Sequence, residues 1–136
     1  MLTPNGLELA DKTLLIVGAG HEQVPAIVRA KQFGIKVVAT DWDSGAPGAK
    51  LADQFAKIST SDKENTLAFA RTSEIDGVMT LSSELAVPVV AYVSEKMGLN
   101  TGLNQDIALR ATNKNAMHQA FVANGTPCAP SKNVDG

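Results

Sequence analysis

Two glycines at the end of an apolar run, followed by an imidazole and an acid, are the first residues in this chain with the types and spacing for chemistry. In TLLIVGAGHEQVPAI, residues 14–17 form a short run of mostly branched side chains that fits a parallel strand buried on both faces, and Gly18 and Gly20 close it. Ligands of open parallel sheets bind beyond the carboxyl ends of the strands, where glycines let backbone amides approach and the next helix directs its positive end outward. Residues 18–23, with His21 and Glu22 among them, are therefore the candidate contact segment. A second apolar run at 36–39 is followed by Asp41 and Asp43 at the same edge of the sheet. Backbone amides at such a turn hold anionic groups, and an acid beside them orients an amine or a hydroxyl.

These residues need a βαβ frame, and residues 13–43 read as strand, glycine turn, helix and second strand. The helix is expected to begin near Glu22, to accept Pro25 in its first turn, to face the sheet with Val24, Ile27 and Val28, and to stop at Gly34. The SGAPGAKLAD stretch is too polar for a strand and broken for a helix until 49–53, so it is either a working loop or an ordinary connection. A strand at 55–59, a helix capped by Asp62 and running to Arg71, and a strand at 75–81 repeat the unit. SSEL then leads into a helix over 85–97. Its Ala86, Val90, Val93 and Met97 share one face, Ser94, Glu95 and Lys96 point away, and Gly98 ends it. A short helix over 104–111 follows. Thr112 is read as the cap of a last helix through Asn124, with Met117, Ala120 and Phe121 as its apolar face, Gly125 as stop and Pro127 beyond.

The expected fold is a three-layer α/β domain: a doubly wound, Rossmann-like parallel sheet of about four strands in the order 3-2-1-4, with right-handed crossovers. Residues 1–12 form a lead-in without chemistry, 13–111 the domain itself, and 112–136 a linker helix and an extended start of something further, as in a segment of a longer protein.

Composition narrows the function classes. A chain of 136 residues that is 44% hydrophobic can bury one core. A net charge of −2, with no block of Lys and Arg interleaved with aromatics, argues against a nucleic-acid surface. No apolar run approaches the roughly 18 residues that span a bilayer, and the first residues lack a basic stretch followed by an apolar one, so neither membrane nor leader is expected and the compartment is cytoplasmic. The lone Cys128 cannot form an intrachain disulfide and is read as a packing residue; no Cys or His cluster has metal spacing. His118 has nothing nearby in sequence to orient it and is assigned no role.

One functional reading is an NAD(P)-binding domain of an oxidoreductase, because GAG follows a strand and Asp41 lies 21 residues after Gly20, where a ribose-binding acid would sit. The third glycine of that fingerprint falls at Gln23, which keeps helix and strand from packing as closely as the fingerprint requires. Another is a stand-alone module that binds a small ligand without catalysis.

A further reading rests on four stretches in order. GAGHEQVPAIVRAKQFGIKVVATDWD, SGAPGAKLAD, SSEL and NKNAMHQAFVANGTPCAPS together make residues 13–132 resemble the N-terminal, pre-ATP-grasp domain of the ATP-grasp ligases. That group includes the formate-dependent glycinamide ribonucleotide transformylase, the carboxyaminoimidazole ribonucleotide synthase and biotin carboxylase. The resemblance implies a ligase that uses ATP and Mg²⁺ to convert a carboxylate into an acyl phosphate, from which an amine or similar nucleophile displaces phosphate. It implies that Gly18, Gly20, His21, Glu22 and Glu84 contact a small carboxylate or amine substrate, with Asp41 near the same crevice, and that Lys114 reaches the ATP phosphates. It also implies that ATP and Mg²⁺ are held mainly by a downstream domain, that the segment alone is not catalytic, and that a homodimer is possible. His21 departs from relatives that carry an acid there, which leaves the substrate open. Glu84 can equally complement a helix dipole, worth about 0.3–1 kcal/mol, and Lys114 can equally be a solvated charge.

Overall fold

Alternation along the first strand decides the layering. In the computed structural model, which describes residues 8–132, β1 (Thr13–Val17) sends Leu15 and Val17 to one face and Ile16 to the other, all fully buried. On the first face Leu15, Val17 and Val38 pack with Leu67 and Ala70 of α2 (Lys63–Thr72) and with Val89, Val90 and Val93 of α3 (Val87–Met97). On the second face Ile16 and Val37 pack with Ile27 and Ala30 of α1 (Val24–Gln32). Each such side chain contributes roughly 1.5–3 kcal/mol when fully buried. A ladder hydrogen bond contributes about 1 kcal/mol net, so these two apolar seams dominate the binding of the layers.

The sheet is parallel, with β2 (Lys36–Asp41), β3 (Gln54–Lys57) and β4 (Gly77–Met79) in the order β3-β2-β1-β4. Leu15 stands opposite Val38 on one side and Val78 on the other. The expected three-layer, doubly wound α/β architecture and strand order are both present. α4 (Gln105–Thr112) packs on α3, and α5 (Lys114–Ala123) packs on α4. Asp62 caps α2 by accepting from the Asn65 amide, and Gly34 and Gly98 take the left-handed conformation that ends their helices.

Several local expectations are corrected. The chain after the glycine turn enters α1 through a 3-10 turn (His21–Gln23), and a second 3-10 turn (Pro47–Lys50) starts earlier than the 49–53 segment expected to be helical. Val28 is exposed, because α1 buries only the narrow stripe of Ile27 and Ala30. Ser94 does not point away: the segment that returns after Gly98 meets it, and the Ser94 hydroxyl is buried there, donating to the Leu99 carbonyl at 3.0 Å. The cap of α5 is Asn113, whose side chain accepts from the Ala116 amide at 3.0 Å, while Thr112 closes α4. Cys128 is exposed and packs nothing in the core. Of the lead-in, residues 1–7 lie outside the described residues, as do 133–136 at the other end.

Candidate functional site

The glycine turn is built by a strand end, a buried acid and a second loop. Gly18 has φ +101°, a conformation that excludes most side chains, and its amide donates to the Thr40 carbonyl at 2.8 Å. The Ala19 amide donates to Asp41 Oδ2 at 2.7 Å, and the Asp43 amide to Asp41 Oδ1 at 3.0 Å. Asp41 is buried at the end of β2, with each carboxylate oxygen taken by a backbone donor. The Ala19 carbonyl in turn accepts from the Gly48 amide at 2.7 Å. A Cβ on Gly48 would stand 2.6 Å from Ile27 Cδ1 and 2.7 Å from that carbonyl. The SGAPGAKLAD loop therefore has an architectural role: it buttresses the glycine turn through a contact that only glycine permits.

The turn after β4 is fastened to the same place. Thr80 Oγ1 donates to the Val17 carbonyl at 2.7 Å, and Gln23 Nε2 donates to the Leu81 carbonyl. Ser82 has φ +55°, a left-handed conformation that a serine seldom adopts and that such fastening sustains. Ser83 then leads into a 3-10 turn (Glu84–Ala86) that presents Glu84 to solvent. His21 and Glu22 are likewise exposed, at the start of the turn into α1. Among the described residues no ion pair engages His21, Glu22 or Glu84. Residues 18–23, 41–45 and 80–86 contain no Lys or Arg. These segments can therefore accept hydrogen bonds from a ligand through carboxylates, while the exposed Lys57, in register with Asp41 at the end of β3, brings a cation to the same edge.

Of the residues singled out in sequence, Gly18, Gly20, His21, Glu22, Asp41 and Glu84 lie on the carboxyl edge of β1, β2 and β4, with Asp41 as a support for the turn. Lys114 does not join them: it is the exposed first residue of α5, separated from the sheet by α4 and α3. Gln23 closes the segment expected to contact a ligand, but nothing in the sequence assigned it a role of its own. Its side chain is 6% exposed and its amide would lie within 3.2 Å of a Cβ on Gly18 or on Gly20. The only sequence signal was negative, a glutamine where a third glycine was sought. Trp42, 67% exposed beside Asp41, and Leu85, 73% exposed beside Glu84, form an apolar rim that was also not foreseen.

The opposite edge holds a cleft of about 340 Å³ lined by Leu9, Lys12, Leu14, Ile35 and Asp76 among others. Its charged groups satisfy each other. Lys12 Nζ lies 2.8 Å from Asp76 Oδ1, and Asp76 Oδ2 accepts the Thr13 amide. The Lys12 hydrogen bond and then the Thr13 amide hold the Asp76 carboxyl below its ordinary range. Asp53 repeats the arrangement with Lys31 Nζ at 2.5 Å and the Val37 amide at 2.8 Å. Burial pushes Asp53 up, but the lysine and the amide outweigh it, and the net shift is downward. No group of three or more His, Cys, Asp or Glu side chains suited to a metal occurs among the described residues, and no helix there is long and apolar enough to cross a membrane.

No protein-family model matches the chain. The formate-dependent phosphoribosylglycinamide formyltransferase of Prochlorococcus marinus (strain MIT 9313) is 32% identical over 101 residues, covering 74% of this chain and 25% of that protein. Phosphoribosylglycinamide synthetase from Anaerococcus prevotii superposes with a TM-score of 0.76 at 29% identity, covering 84% of this chain and 29% of the other. The fold is that of an ATP-grasp N-terminal domain. N5-carboxyaminoimidazole synthetase from Staphylococcus aureus, solved with ADP, shares this fold with a TM-score of 0.71 at 19% identity, covering 88% of this chain and 32% of the other. The chain spans about a quarter of the length of the curated relatives it matches. Two features of this fold stand against the dinucleotide reading. Gln23 fills the space over the glycines where a pyrophosphate would have to approach, and Asp41 spends its oxygens on backbone amides.

Proposed function

We propose that this chain is the substrate-side domain of an ATP-dependent carboxylate ligase, and that the crevice between the glycine turn and the Ser82–Glu84 turn receives the non-nucleotide substrate. The observation that carries the reading is the fastening of these two turns by Thr80 and Gln23, which holds the exposed, unpaired acids Glu22 and Glu84 on one edge. In the proposed reaction ATP phosphorylates a carboxylate and a nucleophile displaces phosphate from the acyl phosphate. Glu22, Glu84 and the backbone of Gly18 and Gly20 would orient the small carboxylate or amine substrate, with His21 tuning which one. Lys114, exposed and outside the ion pairs of the described residues, fits a reach toward ATP phosphates. The acids here are spread over separate turns, which fits Mg²⁺ being held elsewhere with the nucleotide. A cytoplasmic location and a homodimer accompany this reading.

The test uses two proteins. The full reading frame that contains this chain should release ADP with one pairing from a panel of carboxylates and amines, and Glu84→Gln should lower kcat/KM about tenfold, the loss expected for one charge-assisted hydrogen bond. The 136-residue chain alone should bind ATP more weakly than millimolar in calorimetry, since Lys114 by itself is one exposed charge. Absence of ADP release across the panel, or ATP binding at millimolar or tighter by the chain alone, would overturn the proposal.

A further inference from the structure

The Gln23 side-chain amide is tied at one end only. Nε2 donates to the Leu81 carbonyl, and because a carbonyl can only accept, that bond fixes which way round the amide lies. Oε1 is thereby turned onto the glycine turn, 3.2 Å from where a Cβ on Gly20 would stand and 3.4 Å from one on Gly18. The residue is 6% exposed, and no donor among the described residues reaches this oxygen. Two amides of the turn are already used, Gly18 on the Thr40 carbonyl and Ala19 on Asp41. The oxygen keeps contact with solvent, unlike the sealed hydroxyls of Thr40 and Ser73, and a ligand donor can take the place of water there.

We propose that Gln23 Oε1 is a ligand acceptor that takes a hydrogen bond from an N–H or O–H group of the non-nucleotide substrate, so that this end of the crevice selects an amine or hydroxyl and disfavours an anion. The inference rests on the crevice being the substrate side of the ligase. The surrounding charges agree with it. Glu22 and Glu84 flank the turn as acceptors, no Lys or Arg occurs in residues 18–23, 41–45 or 80–86 to hold a phosphate, and the exposed Lys57 of this edge ends β3, two strands away from β1. Gln23 would thus have two duties, reading the ligand with Oε1 and positioning the Leu81–Ser83 turn with Nε2.

The two duties separate in a nuclear magnetic resonance titration of the 136-residue chain. The probes are ethanolamine, which brings ammonium and hydroxyl donors, and inorganic phosphate, which brings anionic acceptors. Ethanolamine should shift the Gln23 side-chain ¹³Cδ and Nε2 resonances together with the amides of 18–22. Gln23→Met should bind it about tenfold more weakly, as expected on losing one hydrogen bond to a charged donor. Gln23→Glu keeps an acceptor but loses the Leu81 tether, and should retain the ethanolamine response while the 81–84 amides move. A purely structural glutamine would make the two variants alike. If Gln23→Met does not fold, the wild-type side-chain resonances and Gln23→Glu decide the outcome. Shifts of Glu84 and the glycine turn without movement of the Gln23 side chain would overturn the acceptor role and leave the crevice standing. A response to phosphate instead of ethanolamine would overturn the selectivity, and silence of the whole edge to both probes would overturn the crevice and the acceptor together.

Discussion

The two edges of the sheet use aspartates in opposite ways. At the amino edge Asp53 and Asp76 each precede a strand, accept the backbone amide of the neighbouring strand and take a lysine on the other oxygen. At the carboxyl edge Asp41 also accepts neighbouring amides, but no lysine joins it, and Glu22 and Glu84 stand free in solvent. Charge is balanced locally where strands only need to be aligned. It is left unbalanced where glycine turns, a left-handed Ser82 and a half-satisfied Gln23 converge. The contrast separates acids that hold the fold from acids that await a partner.

The sharpest way to break this contrast is Asp41→Ala. It strands the Ala19 amide in a buried site and the Asp43 amide beside it, and should cost about 3 kcal/mol in urea denaturation, the range for unsatisfied buried donors. A loss below about 1 kcal/mol would mean that the turn does not depend on this acid. Thr40→Val tests whether the carboxyl edge is tuned for stability at all. The Thr40 hydroxyl is fully buried with no hydrogen-bond partner among the described residues, so its removal should stabilise the protein by about 1 kcal/mol.

Asp53→Asn probes the amino edge, where the half-exposed pair with Lys31 is screened by solvent and should be worth about 0.5 kcal/mol near neutral pH. Because the folded state lowers the Asp53 pKa, the unfolded chain binds more protons between the two values. Stability from this group is present above the ordinary carboxylate value of 3.8 and lost as pH falls through the lower folded value. Wild type should therefore show a steeper acid limb than Asp53→Asn in denaturation curves taken below about pH 4. Glu84→Gln should change stability least, within about 0.5 kcal/mol, while weakening the response of the edge to amines about tenfold. A large loss of stability there would move Glu84 to the structural class.

The Asp62 cap and the glycine stops at 34 and 98 were legible because each depends on residues within a turn or two of itself, and the strand order because right-handed βαβ crossovers leave few alternatives. The misreadings share a longer reach. Ser94 is buried where the chain around Leu99 and Thr101 returns against α3, and Val28 is exposed because α1 covers its face with a narrow stripe. Neither fact is contained in helical periodicity. The candidate site was legible as an edge, through Gly18, Gly20, Asp41 and Glu84, but not as a set of roles. Asp41 looked like a ligand acid until its oxygens were seen on the Ala19 and Asp43 amides. Gln23 looked like a missing glycine until its amide was seen bridging to Leu81 across 58 residues of sequence. The Asp53 and Asp76 clamps gave no signal, since a lone aspartate before a strand reads as loop.

Trp42 gives the carboxyl edge an optical gauge. It is the single tryptophan of the chain and stands largely in water at the end of β2, while α4 and α5 carry none. Its emission should be that of a solvated indole, open to quenching by iodide. Whatever comes to cover this edge, be it a small molecule, a second copy or another domain, should register as a blue shift with loss of quenching. Events confined to the far helices should leave the spectrum dark to them.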